Sequence, residues 1–265
     1  MGRLDTEQSL LTAQRVRANS SSENSDCMNK SADSDAQRTH CDMSSALLAV
    51  KGISKSDPSN ARVLLHPVDI SILAGDRIVL SGPSGSGKSV FLRCLAQIEL
   101  PNGGEFYFKS KLINQGNIQR YRTQVNYVRQ NPVLVEGSVN DNLRLALSLR
   151  LNQKMKFDED LLRHYLSFFN KPESFLQQSS AVLSGGERQI VSFLRNLMLS
   201  PSVLLLDEPT AALDPDSVES FERLVNEWHQ AEPERAYIWI SHDPQQAERM
   251  AEKQWFMQEG HIEFE

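Results

Sequence analysis

Gly82-Pro83-Ser84-Gly85-Ser86-Gly87-Lys88-Ser89 is the stretch that decides the reading of this chain. It follows an apolar, strand-like run, Arg77-Ile78-Val79-Leu80, and opens an apolar helical pattern over Val90–Ile98. Strand, glycine-rich turn ending in Lys-Ser, then helix is the order a phosphate-binding loop requires. Glycines let backbone N–H groups turn inward onto phosphate oxygens, and the helix N-terminus adds the positive end of its dipole. Lys88 is then placed for the β and γ phosphates, and the Ser89 hydroxyl for Mg²⁺. The motif points to a nucleoside triphosphate without saying which chemistry follows.

Outward from the loop, the pattern is that of an α/β chain. Val68, Ile70 and Ile72 alternate with Asp69 and Ser71, as in a half-buried strand, and Ala74-Gly75-Asp76 turns this strand into the next. Phe106–Phe108 after Pro101-Asn102-Gly103-Gly104, and Asn126–Val128, read as further strands. Val203–Leu206 and Tyr237–Ile240 are short apolar runs bounded by turn residues, as buried parallel strands are. Between them Asp214 is an N-cap followed by Pro215, and Val218, Phe221, Leu224, Val225 and Trp228 share one helical face. After Pro132 the chain reads as helical to about Gln178, and Trp255–Phe264 reads as a closing hairpin around Glu259-Gly260.

Residues 1–44 differ. They contain no aromatic residue, carry Ser20-Ser21-Ser22, and hold five basic against seven acidic residues. Such a segment buries too little apolar surface to offset its ordering entropy and is expected to be a disordered polar tail. A short amphipathic helix around Leu4–Val16 is the one element it could form, and Cys27, His40 and Cys41 match no zinc spacing. Over the whole chain, 40% hydrophobic and 23% charged residues are ordinary globular values. No run approaches the roughly 18 apolar residues of a membrane span. A net charge of −6 argues against nucleic acid as a partner. Three cysteines without CxxC spacing argue for a reducing compartment.

More specific residues lie further on. Leu183-Ser184-Gly185-Gly186-Glu187 precedes a helical pattern, and Asp207-Glu208-Pro209 ends an apolar strand 23 residues after Ser184. Ala211–Asp214 follows, then Ser241-His242-Asp243, with His242 standing 34 residues after Glu208; Gln130 stands 42 residues after Lys88. With these motifs in this order, residues 45–265 resemble the nucleotide-binding subunits of ABC transporters. The resemblance implies a P-loop NTPase of the ABC ATPase type: a RecA-like parallel-sheet core, an N-terminal antiparallel β-subdomain and a short α-helical subdomain at about 131–182.

The resemblance also implies roles. ATP would lie on Gly82, Pro83, Ser84, Gly85, Ser86, Gly87, Lys88 and Ser89. Mg²⁺ would be held by Ser89, Gln130 and Asp207. Glu208 would be the general base, with His242 and Gln130 completing the catalytic set. Ser184, Gly185 and Gly186 would cap the γ-phosphate held by a second subunit, so the chain would act as a homodimer, with Asp214 at that interface or as a plain helix cap. An integral-membrane permease would be the other partner, placing the subunit in the cytoplasm, peripheral on the inner face of the membrane. Pro132–Leu143 is similar to small ATPases that power a compact permease, and Ser192–Leu197 resembles the FetA-type ATPases of iron exporters, which implies an ATPase most similar to that type. An amino-acid or phosphate importer ATPase is the alternative, and a soluble ABC ATPase of DNA repair or translation is a third.

Three departures stand out. Residues 53–58, where family members carry an aromatic that stacks on adenine, read Ile-Ser-Lys-Ser-Asp-Pro, leaving Lys55 or Arg62 to cover the base. Ile190 stands where Arg is common, and Glu187 where Gln is common.

Overall fold

The computed structural model describes residues 45–264. The expectations for the tail, including the Leu4–Val16 helix and the Cys27, His40 and Cys41 group, lie outside the described residues.

The chain runs β1 (Ala46–Ser56), β2 (Val63–Leu73), β3 (Arg77–Ser81), α1 (Lys88–Leu95), β4 (Gly103–Phe108), β5 (Lys111–Leu112), α2 (Ile118–Gln124) and β6 (Val125–Val128). It continues with α3 (Val139–Ser148), α4 (Glu159–Phe168), α5 (Gly185–Leu197), β7 (Val203–Asp207), α6 (Pro215–Ala231), β8 (Ala236–Ile240), α7 (Pro244–Met250), β9 (Lys253–Gln258) and β10 (His261–Phe264). Short 3₁₀ turns at Arg150–Asn152, Glu173–Gln177 and Ser180–Val182 link the middle helices.

Two sheets result. An antiparallel sheet has the order β2-β1-β4-β5, and a second has the order β10-β9-β3-β8-β7-β6. In the second, neighbours from β9 through β6 are parallel and only β10 pairs antiparallel. Every residue of β7 and β8 is buried, and their side chains divide by parity. Leu204, Leu206, Tyr237 and Trp239 join one core with α3, α4, α5 and α6. Val203, Leu205, Ile238 and Ile240 join the other with α1, β1 and β2. A sheet covered on both faces is what continuous apolar runs at these strands require. On the first face Phe193 stacks on Phe221 with centroids 4.0 Å apart, and Phe221 meets Trp239 edge-on. Truncating such a ring costs about 3–5 kcal/mol. Cys94 is a free, fully buried thiol on the second face, where burial pushes its pKa up to about 11.

Three sequence expectations are corrected. The helix after the phosphate loop begins at Lys88 rather than Val90 and ends at Leu95, two residues before Gln97 adopts a left-handed φ of 55°. The stretch 132–178 is not continuously helical. Ser138 and Asp141 form a reciprocal cap that starts α3 only at Val139, and Leu149–Asp158 separates α3 from α4. The Val68–Ile72 strand is the end of an eleven-residue β2 paired along its length with β1.

Candidate active site

Parallel strands bring their carboxyl ends to one edge, and loops that leave this edge build sites. Here Leu80 of β3 pairs with Ile240 of β8, and Ile240 pairs with Asp207 of β7, so the three strand ends lie at one level. The phosphate loop leaves β3 at Ser81, Glu208 follows β7, His242 follows β8, and Gln130 follows β6 within two residues.

Two loop glycines are required by packing. A Cβ on Gly82 (φ 138°) would stand 2.0 Å from the Met257 carbonyl oxygen. One on Gly87 (φ 109°) would stand 2.5 Å from that of Leu64. The loop is thus pressed against β9 and β2, a reason for glycine beyond access to phosphate. Lys88, 5% exposed, folds back under the loop and donates from Nζ to the carbonyls of Gly82 (2.8 Å) and Pro83 (2.9 Å). Burial holds its pKa below the usual lysine value, and the Glu208 and Asp207 carboxylates oppose that shift. The Ser86 hydroxyl is buried within the loop with no protein partner.

Asp207, 3% exposed, accepts from Ser89 Oγ at its Oδ1 (2.9 Å) and from the Tyr127 hydroxyl at its Oδ2 (2.6 Å). Glu208 has a left-handed φ of 44°, a conformation that costs a non-glycine residue about 1–3 kcal/mol and persists where its surroundings fix it. Its carboxylate is fixed from both sides: Gln130 Nε2 donates to Oε2 (2.8 Å), and His242 Nε2 lies 2.9 Å from Oε1. Five residues singled out in the sequence, Ser89, Gln130, Asp207, Glu208 and His242, therefore form two adjoining hydrogen-bonded groups on one sheet edge. Tyr127 is the member sequence reasoning missed.

Ser184, Gly185 and Gly186 stand apart from this group. Among the described residues no hydrogen bond links them to 82–89. Ser184 caps α5 in a reciprocal pair with Glu187 (Glu187 N to Ser184 Oγ 3.2 Å, Ser184 N to Glu187 Oε2 2.9 Å). Gly186 lies against Ala212 and Leu213. Lys171 Nζ donates to Glu187 Oε1 at 2.8 Å and, with the cap, holds the Glu187 carboxyl below the usual carboxylate range. Glu187 here makes an ion pair that Gln could not make. Asp214 caps α6 through Ser217 N (3.0 Å) and Ser217 Oγ (2.7 Å). Ile190 is 2% exposed in the helical core.

Next to the phosphate loop is a cavity of about 270 Å³ lined by Arg62, Val63, Leu64, Gly85, Ser86, Glu259 and Gly260. Of the two cations the sequence offers for the base, Arg62 lines it and Lys55 does not. Lys55 donates to the Leu100 carbonyl (2.7 Å) and faces Glu99 at 3.4 Å.

Residues 65–211 match the sequence profile of the ABC transporter family. The chain is 35% identical over 180 residues to the Escherichia coli (strain K12) protein named "Probable iron export ATP-binding protein FetA", covering 68% of this chain and 78% of that one. It is 31% identical to the arginine transport ATP-binding protein ArtM of Bacillus subtilis (strain 168), over 82% of this chain and 89% of that one. The ATP-binding cassette MJ0796, whose dimer was solved in a post-hydrolysis state with ADP and Pi, superposes with a TM-score of 0.71 at 23% identity, over 82% of this chain and 98% of that one. A profile match over more than half of the chain, on this fold and this sheet edge, makes the chain a member of the ABC transporter ATPases, an ATP-binding and ATP-hydrolysing transport subunit.

Proposed function

We propose that ATP is hydrolysed at the carboxyl edge of the parallel sheet, with Glu208 as general base. The observation that carries this reading is the Glu208 carboxylate held between Gln130 and His242, one residue beyond Asp207. A carboxylate fixed on both oxygens is oriented before substrate arrives, which favours proton abstraction from a water placed by the same groups. The residues fit a triphosphate: a buried ammonium under a glycine loop, a helix N-terminus at Lys88, and the Ser86 hydroxyl with no protein partner. They also fit Mg²⁺, since Ser89 and Asp207 offer hard oxygen donors side by side and no thiol or imidazole joins them. Ser89, Asp207 and Gln130 would hold that ion, which when bound supplies charge neutralisation at the phosphates. Lys88 would bind the β and γ phosphates, and His242 would keep the base in register.

Ser184, Gly185 and Gly186 make their contacts away from residues 82–89, on α5 and the Ala212–Leu213 loop. This supports a site completed by the signature loop of a second copy, hence a homodimer. The partner that receives the work is a separate membrane permease, a reading supported by the likeness to the ATP-binding proteins of transport systems, FetA and ArtM. Its docking place is the helical segment, where Val133, Leu145, Leu149 and Leu151 are exposed, and where Leu149 and Leu151 line a cavity of about 360 Å³ beside Arg122 and Arg150. The subunit then lies on the cytoplasmic face of the membrane. Residues 45–265 are one ABC ATPase domain with a helical subdomain at about 131–182, and 1–44 are an appended polar tail.

The cargo is proposed to be a metal ion, iron above all, moved outward, on the 35% identity to FetA. Import of an amino acid is the second reading, supported by the 31% identity to ArtM. The test is cellular metal content: loss of the protein should raise intracellular iron under iron load, and a Glu208→Gln variant should fail to correct it. Unchanged iron with impaired amino-acid uptake would select the importer.

A further inference from the structure

Asp207 is nearly sealed from solvent, and its two oxygens are claimed by different elements. Ser89 of α1 donates to Oδ1, and Tyr127 of β6 to Oδ2 at 2.6 Å. The Tyr127 hydroxyl has a second neighbour, the Arg93 guanidinium, whose positive charge acts on it. An ionised carboxylate can only accept, so the single phenol proton goes to Asp207, and a cation near the phenol oxygen favours that orientation. Arg93 is itself held, with Nε 3.0 Å from Glu99 Oε2, while Glu99 Oε1 faces Lys55 at 3.4 Å. A line of alternating charges, Lys55 on β1, Glu99 and Arg93, thus leads up to the Tyr127 hydroxyl, which donates to Asp207 beside Ser89.

We propose that Tyr127 is a positioning residue for the metal-binding carboxylate: oriented by Arg93, its hydroxyl locks the rotation of Asp207 so that Oδ1 stays beside Ser89. The role rests on the assignment of Asp207 and Ser89 to Mg²⁺ made above. A phenylalanine here would pack equally well in the sheet but would leave Oδ2 of a buried carboxylate without its donor and the side chain free to turn. Groups that orient metal ligands typically change metal affinity by 10–100-fold when removed.

The experiment uses the full chain in the Glu208→Gln background, so that nucleotide is bound and not consumed. Mn²⁺ is titrated by electron paramagnetic resonance in the presence of ATP, and ATP is titrated separately in EDTA. Tyr127→Phe should weaken Mn²⁺ by about tenfold or more, with metal-free ATP affinity unchanged. Arg93→Met, which keeps the tyrosine but removes the cation beside its hydroxyl, should move Mn²⁺ affinity in the same direction. Unchanged Mn²⁺ affinity in Tyr127→Phe overturns the proposal, and so does a parallel fall in metal-free ATP affinity, which would mark a general disturbance of the phosphate loop. Asp207→Asn separates the two readings. If it loses Mn²⁺ while Tyr127→Phe does not, only the positioning role fails; if it keeps Mn²⁺, the metal assignment fails and the positioning role with it.

Discussion

At the scale of single residues, the site is decided by which oxygen meets which donor. Glu208→Gln preserves this pattern. The amide oxygen can accept from Gln130, and the amide NH₂ can donate to His242 Nε2 in its other tautomer. Shape and nucleotide binding should therefore survive while the base is lost, and turnover should fall by about 10²–10⁴-fold. Steady-state ATPase with permease present, beside ATP titration, checks both halves; wild-type turnover removes Glu208 from the mechanism. The base end of the nucleotide is proposed to enter the cavity beside the phosphate loop. The cavity beside Gly85 has Arg62, Val63 and Glu259 on its walls and no aromatic ring. Stacking on an aromatic is worth about 1–3 kcal/mol per base, whereas an exposed cation over a ring contributes about 0.5–1 kcal/mol. ATP and GTP should then bind within about tenfold of each other, or 1.4 kcal/mol. Arg62→Ala should weaken both alike, by a few-fold. Titration of the Glu208→Gln protein with each nucleotide reads this directly. An ATP preference well above a hundredfold would reveal a group that reads the adenine edge.

At the scale of elements, α5 shows how one side chain ties a loop to a helix. Glu187 closes the Ser184 cap and binds Lys171, and both lower its pKa from 4.5. A carboxyl group lowered on folding stabilises the folded state above its unfolded pKa, and the contribution is lost as pH falls through the lowered folded value. Glu187→Gln keeps an oxygen for the Ser184 N–H but loses the ion pair. Melting temperature should change little at pH 7, since partly exposed pairs contribute below about 1 kcal/mol, and should fall less steeply than wild type below pH 4.5. Superimposable acid limbs would show that Glu187 does not report the pair. Elements also mark where sequence was legible. β3, β7 and β8 could be read because buried parallel strands are unbroken apolar runs that stop abruptly at polar site residues, as Leu206-Asp207-Glu208 does. β1 was harder, because it lies between β2 and β4 and its Ala46–Val50 run, buried throughout, shows no alternation. The span after Pro132 reads as continuous helix because apolar residues continue through Leu149 and Leu151, which the structure leaves exposed between α3 and α4. Tyr127 was invisible for another reason: its contact with Asp207 is set by the pairing of β6 with β7 across eighty positions of sequence.

At the scale of the whole molecule, every residue assigned to the nucleotide lies between Arg62 and Gly260, so the first 44 residues contribute none of them. Deleting residues 2–44 should leave melting temperature and ATPase nearly unchanged, and a large drop in either would reveal a docked segment. A composite site, as proposed, would have a sharper consequence. Lys88 and Ser184 belong to separate hydrogen-bonded groups within one chain, Lys88 under the phosphate loop and Ser184 on the cap of α5. If each nucleotide is enclosed by the phosphate loop of one copy and the signature loop of another, Lys88→Ala and Ser184→Arg chains are each inactive as homodimers for opposite reasons. A mixed dimer pairs the intact phosphate loop of the Ser184→Arg copy with the intact signature loop of the Lys88→Ala copy, and so regains one of its two sites. Random pairing of equal amounts makes about half of the dimers mixed, each with one site of two, so the mixture should recover roughly a quarter of wild-type activity, provided one site turns over independently. Specific activity of the unmixed wild type should also fall on dilution, as the dimer population does. No rescue, together with a specific activity flat over a wide dilution range, would show that the Lys88 and Ser184 loops of one chain meet after all.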